Sequence, residues 1–298
     1  MTDIPAINRR PGKAWAVLQY PLVRFILAIA FVVAPVVLLQ LAGKALGIKG
    51  HTPMGAALNL AIAVATIASY CLYVRWLEFR PAVELAPRGA AKQVLAGALI
   101  GAGLFCTTML VLWLMGAWTY TGFDARAVWV YPLVTAVTAG VIEETLMRGV
   151  LFRILEQGLG SWIALGLSAV VFGLMHAANP GATATSVIAI ALEAGVLLAA
   201  AFMFSRRLWF VYGLHAAWNF TEGGIFATPV SGLKQPGMIG VQFNGSEWLT
   251  GGAFGPEASV VAVAVCLVAG VAFLVMAQRN GRVVPRFPSR APLESRAS

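Results

Sequence analysis

Two adjacent glutamates, Glu143 and Glu144, interrupt the otherwise apolar stretch AVWVYPLVTAVTAGVIEETLMRGVLF at residues 127–152. Arg148 follows Glu144 by four residues, so in a helix the two side chains share one face and form an ion pair. Glu143 points about 100° away from that face and is left without a partner on its own helix. A carboxylate in a water-poor site is a common general base in hydrolysis. We therefore interpret Glu143 as a candidate base and the Glu144–Arg148 pair as its support.

Further polar residues lie in apolar stretches later in the chain. His176 ends one such stretch, and His215 and Asn219 are four residues apart in another. In a helix, His215 and Asn219 would present two hydrogen-bond donors from one face. Peptide hydrolysis needs a base that activates water and donors that stabilise the tetrahedral oxyanion. These residues could supply both. Glu193 fits no such scheme and is interpreted as a residue that packs helices or supports the site residues from behind.

The elements that position these residues are membrane-spanning helices. The 298-residue chain is 59% hydrophobic and 11% charged, whereas soluble domains are about 25% charged. A span needs about 20 mainly apolar residues, and eight candidate spans are 22–42, 54–77, 94–118, 127–151, 162–176, 182–204, 207–222 and 257–277. Gly97 and Gly101 in the third span have the spacing of close helix–helix packing. The sequence predicts an all-α, polytopic transmembrane helical bundle.

Basic residues indicate the orientation of the bundle. With the N-terminus inside, the outer side holds only Lys44, Lys49, Arg126 and Lys234, and the other 17 of the 21 Lys and Arg residues are cytoplasmic. We therefore expect both termini in the cytoplasm. This topology explains the net charge of +9, so nucleic-acid binding is not expected.

Depth in the membrane follows from a rise of about 1.5 Å per residue. Counted from the cytoplasmic ends of their spans, Glu143 and His215 both lie roughly 12 Å deep, and His176 lies roughly 20 Å deep. The site is therefore expected to open towards the cytoplasm, with a mismatch in depth at His176.

Three regions divide the chain. Residues 1–21 are interpreted as a cytoplasmic N-terminal segment, 22–277 as the transmembrane domain, and 278–298 as a basic, disordered tail. The stretch 223–256 is rich in glycine and too polar to cross a bilayer. It is expected on the outer side, folded back against the spans as a cap.

Three motifs resemble a known family. The residues EETLMRG at 143–149, FGLMH at 172–176 and HAAWN at 215–219 are similar, in order and spacing, to motifs of the CAAX-protease and bacteriocin-processing (CPBP, Abi) intramembrane proteases. Met147 departs from the pattern, since an aromatic residue is common there. The resemblance implies a metal-free peptidase that uses a glutamate within the bilayer. By the same resemblance, Glu143 and His176 activate water, His215 and Asn219 form an oxyanion hole, and Glu144 and Arg148 hold the site together.

The resemblance also implies a peptide or protein substrate, which for bacterial members is linked to peptide maturation, export or immunity. We expect a multi-pass protein of the cell membrane, in a bacterium the inner membrane.

Two alternatives remain open at the level of sequence. Glu143, His176 and His215 could bind zinc with an open fourth position, which would make the chain an intramembrane metalloprotease. The polar residues could instead line an ion path in a transporter or belong to a non-enzymatic immunity or binding protein, although no duplicated half of the chain is visible.

Overall fold

Long apolar helices account for most of the chain. The computed structural model describes residues 17–286. Six helical segments in this range are long and apolar enough to cross a membrane. They are α1 (Pro21–Ala45), α2 (Pro53–Leu77), α3 (Ala90–Leu114), the continuous segment from α4 (Val130–Glu144) to α5 (Arg153–Leu159), the continuous segment from α7 (Ala184–Ile190) to α8 (Val196–Ser205), and α11 (Val260–Arg279). The chain is therefore a multi-pass membrane protein.

Two shorter helices and several small elements complete the described chain. The shorter helices are α6 (Ser161–Met175) and α9 (Leu208–Asn219), and the small elements are a 3₁₀ turn (Val83–Leu85), strands β1 (Trp118–Phe123) and β2 (Ile239–Phe243), helix α10 (Glu247–Thr250) and a second 3₁₀ turn (Pro256–Ala258). Every one of the eight predicted spans coincides with a helical segment, although α6 and α9 are shorter than the other six.

Three helices contain stretches of π-helix. They are π1 (Thr145–Phe152) between α4 and α5, π2 (Ala191–Gly195) between α7 and α8, and π3 (Phe220–Ile225) after α9. A π stretch widens the helix and frees backbone carbonyl groups, and it is frequent at functional sites. The three stretches supply many of the polar side chains considered below.

The helices run alternately between two ends of the bundle. At one end, Arg207 donates to the carbonyls of Ala86 and Arg88, and Ser161 exchanges hydrogen bonds with Val284. We call this the basic end, because most of the described Lys and Arg residues lie at it. The opposite end carries β1, β2 and the connections between them and the helices, and we call it the sheet end.

Glycines let α3 and α9 approach at backbone distance. A Cβ atom on Gly97 would overlap the carbonyl oxygen of Phe210, and one on Gly101 would overlap that of Leu214. The predicted close packing is thus confirmed. This close packing bears on the position of His215, because Leu214 directly precedes His215 on α9.

A small antiparallel sheet accompanies the predicted helical bundle. Trp118 pairs with Phe243 and Phe123 with Ile239, so the described chain is mainly but not entirely α-helical. The third span ends at Leu114 instead of residue 118, because the chain turns at Gly116, whose φ of 71° favours glycine.

The predicted cap at the sheet end is present. Asn179 donates to the carbonyl of Ser231 at 3.1 Å, and a Cβ atom on Gly232 would overlap the carbonyl of Pro180. The segment 223–256 therefore packs against the end of the bundle. The predicted disordered tail begins at residue 278, but α11 continues to Arg279 and Val284 donates a hydrogen bond to Ser161. The prediction was therefore wrong for residues 278–286. Residues 287–298 and the first 16 residues of the N-terminal segment lie outside the described range.

An ion cluster joins three helices at the basic end. Glu78 accepts hydrogen bonds from Arg24, Arg80 and Arg153 at 2.7–2.8 Å. Burial alone would raise the pKa of Glu78, but the charges and hydrogen bonds of Arg153 and Arg24 lower it to about 2. The cluster ties α1 and α2 to the helix that carries the catalytic candidates.

Candidate functional site

Glu143 and Glu144 are the last two residues of α4, directly before π1. Glu144 is fully buried, whereas the side chain of Glu143 is 23% exposed. The two carboxylates therefore face different surroundings, as their spacing predicts.

Arg148 forms the predicted ion pair with Glu144. Its Nη1 lies 2.9 Å from Oε1 of Glu144, and both side chains are fully buried. Nη2 donates to the carbonyls of Ala194 at 3.2 Å and Gly195 at 3.0 Å, which belong to π2. The guanidinium also lies 4.9 Å from the centre of the Phe172 ring. Arg148 thus joins the α4–α5 segment to π2 and α6.

His215 lies between the two glutamates. Its Nδ1 is 2.9 Å from Oε1 of Glu144, and its Nε2 is 3.9 Å from Oε2 of Glu143. Since Oε1 of Glu144 also accepts from Arg148, it is held as a carboxylate and accepts the Nδ1 proton. His215 therefore directs Nε2 towards Glu143.

His176 approaches Glu143 from the other side. Its Nδ1 lies 2.8 Å from the carbonyl oxygen of Phe172, which can only accept, so Nδ1 carries a proton. Its Nε2 lies 3.9 Å from Oε2 of Glu143. The predicted mismatch in depth therefore does not keep His176 away from Glu143.

A cavity of about 120 Å³ lies above these groups. Glu143, His176, His215 and Asn219 all line it. Asn219 is on α9 one turn beyond His215, as its spacing predicts. The structure therefore brings the four proposed reacting and donating side chains to a single cavity, with Glu144 and Arg148 packed beside it.

The cavity lies on the sheet-end side of Glu143. Its other walls are the outer part of α4 from Pro132 to Ala139, together with Asn179, Ser231, Leu233 and Gln235. No described residue of the connections at the basic end lines it. The cavity thus extends from Glu143 away from the end that the charge rule predicts to be cytoplasmic. Helix continues past Glu143 to Leu159, roughly 24 Å at 1.5 Å per residue, so Glu143 lies near the middle of this helical segment.

Three acidic residues near the cavity were not predicted as site residues. Glu193 and Glu257 line the cavity, and Glu222 is fully buried beside Glu257. Glu193 is only 2% exposed, but it faces the cavity instead of serving only to pack helices. Glu222 and Glu257 lie at the end of the predicted span 207–222 and at the start of the predicted span 257–277, where no motif distinguished them.

The distances around Glu143 differ from those expected for a tetrahedral zinc site. A tetrahedral zinc site with bonds of about 2.1 Å would place its ligand atoms about 3.4 Å apart. The Oε2 atom of Glu143 is 3.9 Å from each imidazole Nε2. Within residues 17–286, no group of three or more His, Cys, Asp or Glu side chains is arranged to hold a metal ion.

A bundle of apolar helices with buried carboxylates and imidazoles around one cavity defines a polytopic membrane protein with a polar site between its helices. Residues 125–221 match the family model described as type II CAAX prenyl endopeptidase, Rce1-like. The matched segment contains all three motifs and is 97 of the 298 residues. The matched segment is therefore similar to a family of CAAX proteases, and this similarity indicates a peptidase of the membrane. A comparison with curated proteins finds no match.

Proposed function

We propose that the chain hydrolyses a peptide bond inside the membrane with a water molecule activated by Glu143. The observation that carries this proposal is the equal distance of 3.9 Å from Oε2 of Glu143 to Nε2 of His176 and of His215. This distance is too long for a direct hydrogen bond and fits a water molecule that bridges the groups. Glu143 is the base that takes the proton from this water.

His176 orients the water in this scheme. With its proton on Nδ1, held by the Phe172 carbonyl, the unprotonated Nε2 accepts a hydrogen bond from the water. The water then donates both hydrogens, one to Glu143 and one to His176, and its lone pair points at the substrate carbonyl. This arrangement favours attack because the nucleophile is held in one orientation.

His215 and Asn219 stabilise the oxyanion. The Glu144 carboxylate beside Nδ1 favours the doubly protonated imidazole, whose Nε2–H can donate. The Asn219 amide supplies a second donor from the same face of α9. Each such donor is worth about 3–4 kcal/mol in comparable sites, and Arg148 keeps Glu144 charged for this task.

The substrate is a peptide or protein held at the membrane. The matched family is described as acting as a CAAX prenyl endopeptidase, so a CAAX-terminated peptide is the first substrate to test. Peptides that are matured or exported at a bacterial inner membrane are a second class of substrate to test. The scissile bond lies near mid-depth, where Glu143 is.

We further propose that substrate enters from the non-cytoplasmic side. The cavity is on the sheet-end side of Glu143, and the basic end is cytoplasmic by the charge rule. In a cysteine-free variant, Leu233→Cys at the cavity should react with a membrane-impermeant maleimide on intact cells. Pro87→Cys at the basic end should react only after the cells are opened, and the reverse pattern would contradict this entry side.

The peptidase mechanism is tested by Glu143→Ala, His176→Ala and His215→Ala, each assayed in liposomes. All three should lose at least about 10²-fold in kcat, as expected for loss of a general base or an oxyanion donor. Unfolding temperatures in detergent identify variants that fail to fold. Wild-type rates in all three folded variants would end the proposal.

A further inference from the structure

Three buried carboxyl groups lie outside the proposed catalytic set. Glu193 is on π2, Glu222 is on π3, and Glu257 is in the 3₁₀ turn before α11. They are 2%, 0% and 3% exposed, respectively. Burying an acid is costly unless its oxygen atoms find partners, so three such residues at one place need an explanation.

Their hydrogen-bonding capacity is only partly used. Oε1 of Glu257 accepts from the backbone N–H of Ser231 at 2.6 Å, and Oε1 of Glu193 accepts from the Cys266 thiol at 3.4 Å. No donor among the described residues reaches Oε2 of Glu193 or either oxygen of Glu222. Glu193 and Glu257 line the cavity next to Glu143. The cavity wall therefore includes a carboxyl group, that of Glu193, with one oxygen atom that no described donor reaches.

Glu222 and Glu257 interact directly with each other. Glu222 is fully buried, and Oε1 of Glu257 accepts from the backbone of Ser231. Neighbouring buried carboxyl groups with few donors favour the approach of a positively charged partner.

The cation that fits is organic. Within the described residues these acids are not arranged as metal ligands, and apolar side chains such as Ile190, Leu197 and Trp218 line the same cavity. A lysine or arginine side chain has an apolar stem and a charged, donating end. The stem of such a side chain would lie along this apolar wall, and its charged end would reach the carboxyl groups of Glu193 and Glu257.

We propose that Glu193 and Glu257 form a subsite for the basic side chain of a substrate residue next to the scissile bond, with Glu222 supporting Glu257. This inference rests on the proposed peptidase function, because the subsite shares its cavity with Glu143. Glu222 and Glu257 lie beyond the segment that matches the family model. The subsite thus combines Glu193 of the matched segment with residues that follow it.

The test is a set of peptides digested by the full-length protein in detergent, with cleaved bonds identified by mass spectrometry. The peptides are identical except at one scanned position, which is lysine, arginine, norleucine or glutamate. The wild type should prefer a basic residue over norleucine at one position. Glu193→Gln and Glu257→Gln should lower that ratio of kcat/KM at least about tenfold, the loss typical of a hydrogen bond to a charged group.

Two controls make the result independent of folding. The ratio of basic to norleucine cleavage within one variant does not depend on the fraction of folded enzyme. Glu247→Gln, an exposed residue at the same end, should keep the wild-type ratio, and Glu257→Asp should retain part of it.

The possible outcomes separate the two proposals. Cleavage by the wild type without any preference for a basic residue, or an unchanged preference in both Gln variants, would overturn the subsite and leave the peptidase intact. A preference that appears only with added divalent cations would overturn it in favour of a metal site. If the wild type cleaves no peptide, the peptidase proposal fails and the subsite with it.

Discussion

The Nδ1 atom of His215 lies 2.9 Å from Oε1 of Glu144, the same oxygen that accepts from Arg148 at 2.9 Å. Glu144 therefore connects a buried cation to an imidazole whose other nitrogen faces Glu143. The two adjacent glutamates thus have separate roles. Glu143 lines the cavity, and Glu144 fixes the imidazole ring of His215 beside it.

Replacing Glu144 by glutamine should slow catalysis without weakening substrate binding. The amide can still contact the ring, but it no longer favours the protonated imidazole that donates to the oxyanion. We expect kcat to fall about 10²-fold with KM nearly unchanged. Steady-state kinetics on a cleaved peptide measure both values, and Glu247→Gln is the control. An unchanged kcat would show that Glu144 does not act through His215.

Arg148→Met should destabilise the fold by about 3–5 kcal/mol, because it leaves the buried Glu144 carboxylate without its cation. The matched control is Arg126→Met. Arg126 pairs with Asp124 at 3.6 Å, but its side chain is 95% exposed, so the expected cost is below about 1 kcal/mol. Thermal unfolding in detergent compares the two. Equal unfolding temperatures would contradict a structural role for the buried pair.

Gly101→Ala should lower both stability and activity. Its Cβ atom would overlap the backbone of Leu214 on α9, and α9 would have to shift together with His215. Gly103→Ala lies on the same helix with open space around its Cβ position and should be neutral or slightly stabilising. Unfolding temperature and kcat should fall only in the first variant, and similar losses in both would indicate a general effect on helix α3.

Chelation separates the metal-free mechanism from the zinc alternative. With water held between Glu143 and the two imidazoles, activity should survive 1,10-phenanthroline and dialysis against a chelator. Loss of activity that added zinc restores would establish the metalloprotease instead. Metal analysis of the purified protein provides an independent readout.

The ion cluster at the basic end should make stability depend on acid pH. The pKa of Glu78 is lowered from its ordinary value of 4.5 to about 2, so its contribution is present above pH 4.5 and is lost as the pH falls towards 2. The unfolding temperature of the wild type should therefore drop over this range. Glu78→Gln should begin with a lower unfolding temperature and show a smaller drop, whereas an identical acid dependence would exclude Glu78 as its source.

The helices and the catalytic candidates could be predicted from the sequence for a simple physical reason. Hydrocarbon tolerates few polar side chains, so each long apolar stretch indicates a helix and each polar exception stands out. The pairing of Glu144 with Arg148 follows from helix geometry alone. The family resemblance predicted that His176 and His215 approach Glu143. The distances between these side chains could not be predicted.

Other features depend on contacts between distant parts of the chain. Strand β1 follows directly on an apolar helix, and its partner β2 lies more than 100 residues later, so local hydropathy could not reveal the pairing. The side on which the cavity opens depends on how the segment 223–256 folds back. Glu222 and Glu257 flank that segment, and their approach to each other depends on the same fold.

The fully buried contacts of Arg148 have a consequence for the membrane as an electrical barrier. A hydrolase needs water, yet a continuous aqueous path across the bilayer would dissipate ion gradients. Here the cavity lies mainly on the sheet-end side of Glu143, and beside it Arg148 is bound to Glu144 and to the carbonyls of π2. These contacts fill the interior of the bundle between the cavity and the basic end, where an aqueous path would otherwise have to pass.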